Sequence, residues 1–329
     1  MMIKPAEGFR NRCRWMVLRV KKRLRFALMK RLLREPDSSL ERAILIAGTA
    51  RSGTTWLAEM IARQVPARLM FEPFHRDEIE ALSGIPLFPY LRPDENHEDF
   101  EAFARSVLSG SIRHPWVDSQ IDCSRPELRI VKEIRGNLFL RWLFERFPRL
   151  PIVLIVRHPC AVVSSRMRAG WSAEADLEDM MSQPKLVADH LRDTVDVIAQ
   201  ARSPVELHAV VWCIQNLVPL RQFSDGDLKL VFYEHLVQDT EEQLESILDF
   251  LGRASALRGL GKLRAASATT GPNSSVIRGE DLLSRWQRDL SAREAEEALS
   301  IVKRFGLDEM YGSSPLPTLS VASDLPELE

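Results

Sequence analysis

Residues Arg51-Ser52-Gly53-Thr54-Thr55 close a loop that opens at Gly48, and the spacing Gly48-x4-Gly53-Thr54-Thr55 is that of a turn whose backbone N–H groups cradle an oxyanion. In magnesium-dependent nucleotide enzymes a lysine follows the second glycine, and an aspartate at another strand tip holds the metal. Here Thr54 stands in the lysine position, Arg51 is the nearby cation, and the apolar run 152–156 ends in Arg157. A cation where a metal-binding carboxylate belongs points to a second anion site, so no metal is expected. "RHPCAVVSSR", 157–166, supplies that site. Pro159 suits a first helical turn, which sets Ser164 and Ser165 about two turns along from Arg157. An arginine fork with a serine hydroxyl suits a phosphate. Two anion sites at neighbouring strand tips fit a nucleotide with phosphates at both ends.

The elements that must hold these residues are legible as an alternation. Near-continuous apolar runs at 43–48, 68–72, 129–133, 152–157 and 228–232 read as strands buried on both faces of a parallel sheet. Helical stretches fit 54–64, 98–109, 137–147, 159–168, 185–201 and 205–223. Capping boxes at Thr240-x-x-Gln243 and Ser291-x-x-Glu294 open two later helices, ended by Gly252 and Gly306. The expected fold is α/β: a P-loop-like, three-layer arrangement of a central, mostly parallel sheet flanked by helices.

The 329 residues carry 45% apolar side chains, enough for a substantial core, and a net charge of -1 that hides an asymmetry. Residues 1–40 hold 12 Lys/Arg against 3 Asp/Glu. That N-terminal arm reads as a basic helix over about 12–34, fit to rest on an anionic membrane surface, hold a polyanion or dock on the body. Residues 41–312 form the expected catalytic domain, 75–127 an insertion shaping a substrate cleft, and 313–329 a disordered tail rich in Pro and Ser. Cys13, Cys123, Cys160 and Cys213 show no metal-ligand spacing and read as reduced thiols. With no apolar run of membrane-spanning length, the expected location is cytoplasmic, peripheral at the inner membrane face if the arm binds lipid. No nucleic-acid partner is expected.

At these residues the sequence resembles the sulfotransferases that use 3′-phosphoadenosine 5′-phosphosulfate (PAPS). The family's 5′-phosphosulfate loop is matched by Arg51-Ser52-Gly53-Thr54-Thr55-Trp56, and its 3′-phosphate element by Arg157, Pro159 and Ser165. "VFYEHLVQDTEEQLESILDFLG" at 231–252 resembles the family's downstream segment, and "FEPFH" at 71–75 resembles the Phe-Glu-Pro of carbohydrate O-sulfotransferases. The C-terminal Arg-Lys-Gly element of the soluble small-molecule enzymes is not evident. The resemblance implies PAPS as donor, a hydroxyl acceptor on a carbohydrate or glycolipid, and in-line transfer without a metal. It places the 5′-phosphosulfate on Arg51, Ser52, Gly53, Thr54, Thr55 and Trp56, and the 3′-phosphate on Arg157 and Ser165.

A hydroxyl acceptor needs a base within hydrogen-bond reach. Glu72, at the tip of the second strand, is the candidate; the alternative is a strand-end carboxylate paired with a nearby arginine, and His75 is a second candidate base. Lys132 either binds the transferring sulfonate or is a surface lysine. Arg278 either closes over the nucleotide or is an ordinary loop residue. Trp56 and Trp212 face the adenine or the core, and Phe74, Tyr90 and Trp116 either stack on sugar rings or pack. Two other functions fit parts of the pattern. A P-loop kinase would require ATP and magnesium, and a non-catalytic binder of polyanion or membrane would depend on the arm alone.

Overall fold

Five apolar runs become five strands of one sheet: β1 (Ala43–Ala47), β2 (Ala67–Phe71), β3 (Leu128–Glu133), β4 (Ile152–Val156) and β5 (Lys229–Phe232). The computed structural model describes residues 31–120, 122–253, 257 and 281–319. The strand order is β2-β3-β1-β4-β5, and every neighbouring pair is parallel. Each expected strand lies within a residue of its observed bounds, because a strand covered on both faces needs apolar side chains at every position.

Successive side chains of β1 point to opposite faces. Ile44 and Ile46 join one core with Leu57, Ile61, Leu244 and Leu248; Ala43, Leu45 and Ala47 join the other with Phe139, Val162 and Trp212. The first face is covered by α1 (Thr54–Gln64) and later by α8 (Tyr233–Gln238) and α9 (Thr240–Phe250). The opposite face carries α2 (Glu98–Leu108), α3 (Leu140–Arg146), α4 (Pro159–Arg168), α7 (Pro204–Gln222) and α11 (Ala292–Arg304). Shorter helices include α5 (Glu174–Met181), α6 (Val195–Gln200) and α10 (Trp286–Asp289). The result is the three-layer α/β fold.

α7 is apolar on every side and buries fourteen of its nineteen residues, as a helix without a polar face must. Ser203 and Glu206 cap its start reciprocally, and Ser291 and Glu294 do the same for α11. The Thr240 box does not form. α8 runs directly into α9, and the Thr240 hydroxyl donates to the Leu236 carbonyl at 2.8 Å instead of capping. The helix expected over 185–201 is broken into Pro184–Leu186, a π turn at Val187–Leu191, a 3-10 turn at Arg192–Thr194 and α6. There the Thr194 hydroxyl bonds back to the Leu191 carbonyl at 3.1 Å.

At the far end of the sheet from the loop at 48–53, Arg68 and Arg129 are buried and ion-paired. Arg68 holds Glu35 and Asp118 at 2.9 Å each, and Arg129 holds Glu35 at 3.1 Å. Glu35 thus ties the segment before β1 to β2 and β3. The expected basic arm otherwise lies at 1–30, outside the described residues. Of the expected tail, 313–319 are described, and the Thr318 N–H donates to the Met310 carbonyl at 2.9 Å. Among the described residues no helix is long and apolar enough to cross a membrane.

Candidate active site

The carboxyl ends of β2, β3, β1 and β4 lie side by side, so Glu72, Lys132, the loop after Ala47 and Arg157 share one edge of the sheet. This is where open α/β sheets bind ligands.

The loop's shape rests on its two glycines. A Cβ at Gly48 would lie 2.4 Å from the Ile155 carbonyl oxygen, so β4 approaches too closely for any side chain. Gly53 has φ +100°, caps α1, and would press a Cβ within 2.6 Å of the Tyr233 ring. Between them the Ser52 N–H and hydroxyl both donate to the Thr49 carbonyl. α1 has no acidic residue in its first turn, so the positive end of its dipole faces the loop uncompensated, with Thr54 and Thr55 buried there.

Arg51 leaves this loop with φ 77°, and its Nε donates to Ser165 Oγ at 2.9 Å. Arg157 Nη1 donates to the Arg51 carbonyl at 3.1 Å, Nη2 reaches the Leu282 carbonyl at 3.3 Å, and the guanidinium lies 4.2 Å from the Tyr233 ring centroid. The structure therefore brings together the loop and the β4-tip element expected from sequence. Ser164 is turned away, donating to Asp289 at 3.0 Å, which leaves Ser165 as the hydroxyl on the site side of α4. Trp56 packs against Tyr233 at 5.7 Å. Trp212 lies in the core, and its Nε1–H supports the backbone of Arg157 at 3.0 Å.

Glu72 sits beside Lys132 because β2 and β3 pair Phe71 with Lys132. It is buried, and its two oxygens are divided between cations: Lys132 Nζ at 2.6 Å on Oε1 and Arg135 Nη1 at 2.7 Å on Oε2. Burial alone would raise the Glu72 carboxyl, but Lys132 and Arg135 outweigh it and hold its pKa below the usual value. Lys132 is 3% exposed, so it is not a surface lysine; its ammonium lies 4.5 Å from the Phe71 ring. Neighbouring Glu133 accepts the N–H groups of Phe74, Ile134 and Arg135 at 2.9, 2.9 and 3.0 Å, fixing the turns that carry both members of the cluster. Among the described residues only Arg51 and Glu72 are non-glycine residues with positive φ, 77° and 43°. Such strain persists where surrounding structure over-determines it, commonly at ligand sites.

Sequence reading missed Arg135. Its signal was a second cation three residues past Lys132 across a strand-to-turn boundary, which no helix or strand period would flag. His75 packs edge-on to Trp116 at 5.3 Å, and burial pushes its pKa down. The sugar-stacking option fails for two of the three aromatics. Phe74 is enclosed by Phe100, Phe103 and Phe139, and Tyr90 is buried with its hydroxyl on Asp189 at 2.9 Å. Trp116 Nε1 donates to the Glu72 carbonyl at 3.1 Å. Arg278 lies outside the described residues.

His158, the N-cap of α4, is buried directly after Arg157. Its Nδ1 accepts the Cys160 N–H at 3.2 Å, Nε2–H donates to the Gly312 carbonyl at 3.0 Å, and the ring stacks on Trp286 at 4.6 Å. Burial, assisted by Arg157, lowers its pKa from an ordinary 6.5 to about 4. Between those values the unfolded chain binds the extra proton, so stability is lost as pH falls from 6.5 toward 4, by roughly 3 kcal/mol. Denaturant titrations at pH 7 and pH 4.5 are expected to show that loss in the wild type and a smaller one in His158→Gln.

Residues 43–256 match the family described as the sulfotransferase family. Among solved structures the chain is similar to the sulfotransferase domain from the curacin biosynthetic pathway, at 18% identity over 80% of this chain and 96% of that one, with a TM-score of 0.44. It is similar to a sulfotransferase from Alicyclobacillus acidocaldarius, at 14% identity over 80% of this chain and 96% of that one, TM-score 0.35. It is also similar to mouse sulfotransferase SULT7A1 complexed with PAP, at 15% identity over 81% of this chain and 85% of that one, TM-score 0.39. No curated protein matches the chain.

Proposed function

Because this chain belongs to the sulfotransferase family, we propose that it transfers the sulfuryl group of PAPS to a hydroxyl of a carbohydrate or glycolipid, with Glu72 as base. The observation that carries this reading is the hydrogen-bonded chain Arg157–Arg51–Ser165, which gives two anion-binding elements one shared wall. The loop amides, Arg51, Ser52, Gly53, Thr54 and Thr55 hold the 5′-phosphosulfate beside Trp56, and Arg157 and Ser165 hold the 3′-phosphate.

In the reaction the acceptor oxygen attacks sulfur while the bond from sulfur to the 5′-phosphate oxygen breaks, releasing adenosine 3′,5′-bisphosphate (PAP). Arg51 and the loop amides stabilise charge on the leaving oxygen. Glu72 takes the proton of the acceptor hydroxyl. Lys132 and Arg135, which share Glu72 in the free protein, turn to the sulfonate, freeing a carboxylate oxygen and raising its basicity.

Trp171 supports a ring-shaped acceptor. It is 47% exposed in the turn between α4 and α5, and its ring centroid lies 6.0 Å from the Arg51 guanidinium, at the mouth of the loop that presents the sulfonate. The test is transfer from labelled PAPS, in EDTA, to a panel of a neutral glycoside, a sulfated polysaccharide and a simple phenol. Transfer to the glycoside is expected, with Trp171→Ala raising its KM about tenfold. Transfer confined to the phenol would refute the carbohydrate acceptor, and phosphorylation from ATP with magnesium would favour a kinase.

A further inference from the structure

Three arginines are among the largest fully buried side chains of the described chain: Arg68, Arg129 and Arg166. The first two are matched by Glu35 and Asp118. Arg166 is not. It follows Ser165 on α4 with 2% exposure and makes no ion pair among the described residues. Its Nε and Nη2 reach the Ala50 carbonyl of the phosphate loop at 3.4 Å each, Nη2 reaches Gln215 Oε1 at 3.5 Å, and buried Nη1 has no hydrogen-bond partner.

These are long bonds to neutral oxygens, and a guanidinium shut away from water on such terms is poorly compensated. Burial lowers its pKa to about 10, with Asp176 opposing that shift and Arg51 adding to it, so it remains a cation at neutral pH. Among the described residues, its one side-chain hydrogen-bond partner outside α7 is the carbonyl of Ala50, the residue before Arg51. The charge therefore lies directly behind the loop proposed to hold the donor.

We propose that Arg166 is a third arginine of the donor site, a positioning residue whose unmatched charge beneath the phosphate loop is neutralised when an anionic phosphosulfate enters it. The inference rests on the donor reading above. Arg166 acts in two ways. It grips the Ala50 carbonyl and so holds the turn into the left-handed Arg51, and it adds positive potential where the leaving phosphate gathers charge. A buried cation held by long bonds to neutral oxygens, with no ion pair, destabilises the empty protein and favours the anion-loaded one, so binding and stability are linked with opposite signs at this position.

The test compares the wild type with Arg166→Met and Arg166→Gln in thermal unfolding, alone and with saturating PAP or inorganic sulfate, and in calorimetric titration with PAP. Both variants are expected to keep or raise the ligand-free Tm, lose most of the ligand-induced rise, and bind PAP about tenfold or more weakly. Arg129→Met, which breaks a compensated ion pair, is expected to lower the ligand-free Tm. The proposal is overturned if the Arg166 variants lose Tm as Arg129→Met does while PAP affinity stays unchanged, which is the behaviour of a purely structural arginine. Full affinity in Arg166→Gln with loss in Arg166→Met would also overturn it, since a hydrogen bond to Ala50 and not charge would then be what matters. Should the wild type bind no PAP, the donor reading itself fails. The Tm response to sulfate then decides the role of Arg166, the proposal standing only if both variants lose it.

Discussion

Glu72→Gln is expected to bind PAP as the wild type does and to lose turnover by about 10²- to 10⁴-fold, the usual contribution of a positioned general base. The substitution keeps the shape of a side chain that is buried between Lys132 and Arg135 and removes only its charge and basicity. Glu72 lies at the tip of β2, with β3 and β1 between it and the Arg157–Ser165 element, so nucleotide affinity is a readout that the change is expected to leave alone. Unaltered calorimetry on the sample used for kinetics also shows that the variant is folded. The pH profile has a defined sign. A base works when deprotonated, and Glu72 has its pKa lowered in the free protein, so kcat/KM is expected to hold down to below the ordinary carboxylate range and to fall only as pH drops through the lowered value. If, as proposed, the two cations turn to the sulfonate in the substrate complex, the carboxylate regains basicity and the acid limb of kcat is expected at higher pH than that of kcat/KM. Full activity in Glu72→Gln would move the base elsewhere.

Arg157→Ala is expected to weaken PAP by about 100-fold or more, the cost of removing a guanidinium from a charge-assisted phosphate contact. The loss is expected to be far larger for PAP than for adenosine 5′-monophosphate, which lacks the 3′-phosphate. Arg157 also braces the loop through the Arg51 carbonyl, so a modest loss toward both nucleotides accompanies the specific one. Equal losses for both would mean that Arg157 is only a brace.

What was legible in the sequence follows from what is local. The five strands read clearly because burial on both faces makes each an unbroken apolar run, and the tight turn after β1 because its close approaches demand glycine at 48 and 53. The helix of residues 185–201 is interrupted by a π turn at 187–191 and a 3-10 turn at 192–194, changes of hydrogen-bond register that residue periodicity does not mark. The Thr240 box failed because the preceding helix supplied its own carbonyl. The site's charge balance was the least legible part. Arg135 and Arg166 matter through partners 63 residues away, at Glu72, and 116 residues away, at Ala50. Neither the left-handed backbone at Arg51 and Glu72 nor the exposure of Trp171 follows from residue type.

The central claim is that cations and loop amides at adjoining strand tips hold a nucleotide by phosphates at both ends. The most direct measurement is calorimetry of the wild-type protein in EDTA with PAP and with adenosine 5′-monophosphate. The account predicts that PAP binds about 100-fold or more tightly than the monophosphate, a difference of roughly 3 kcal/mol, with no requirement for magnesium. Equal affinities, or PAP binding that appears only when magnesium is restored, would contradict it.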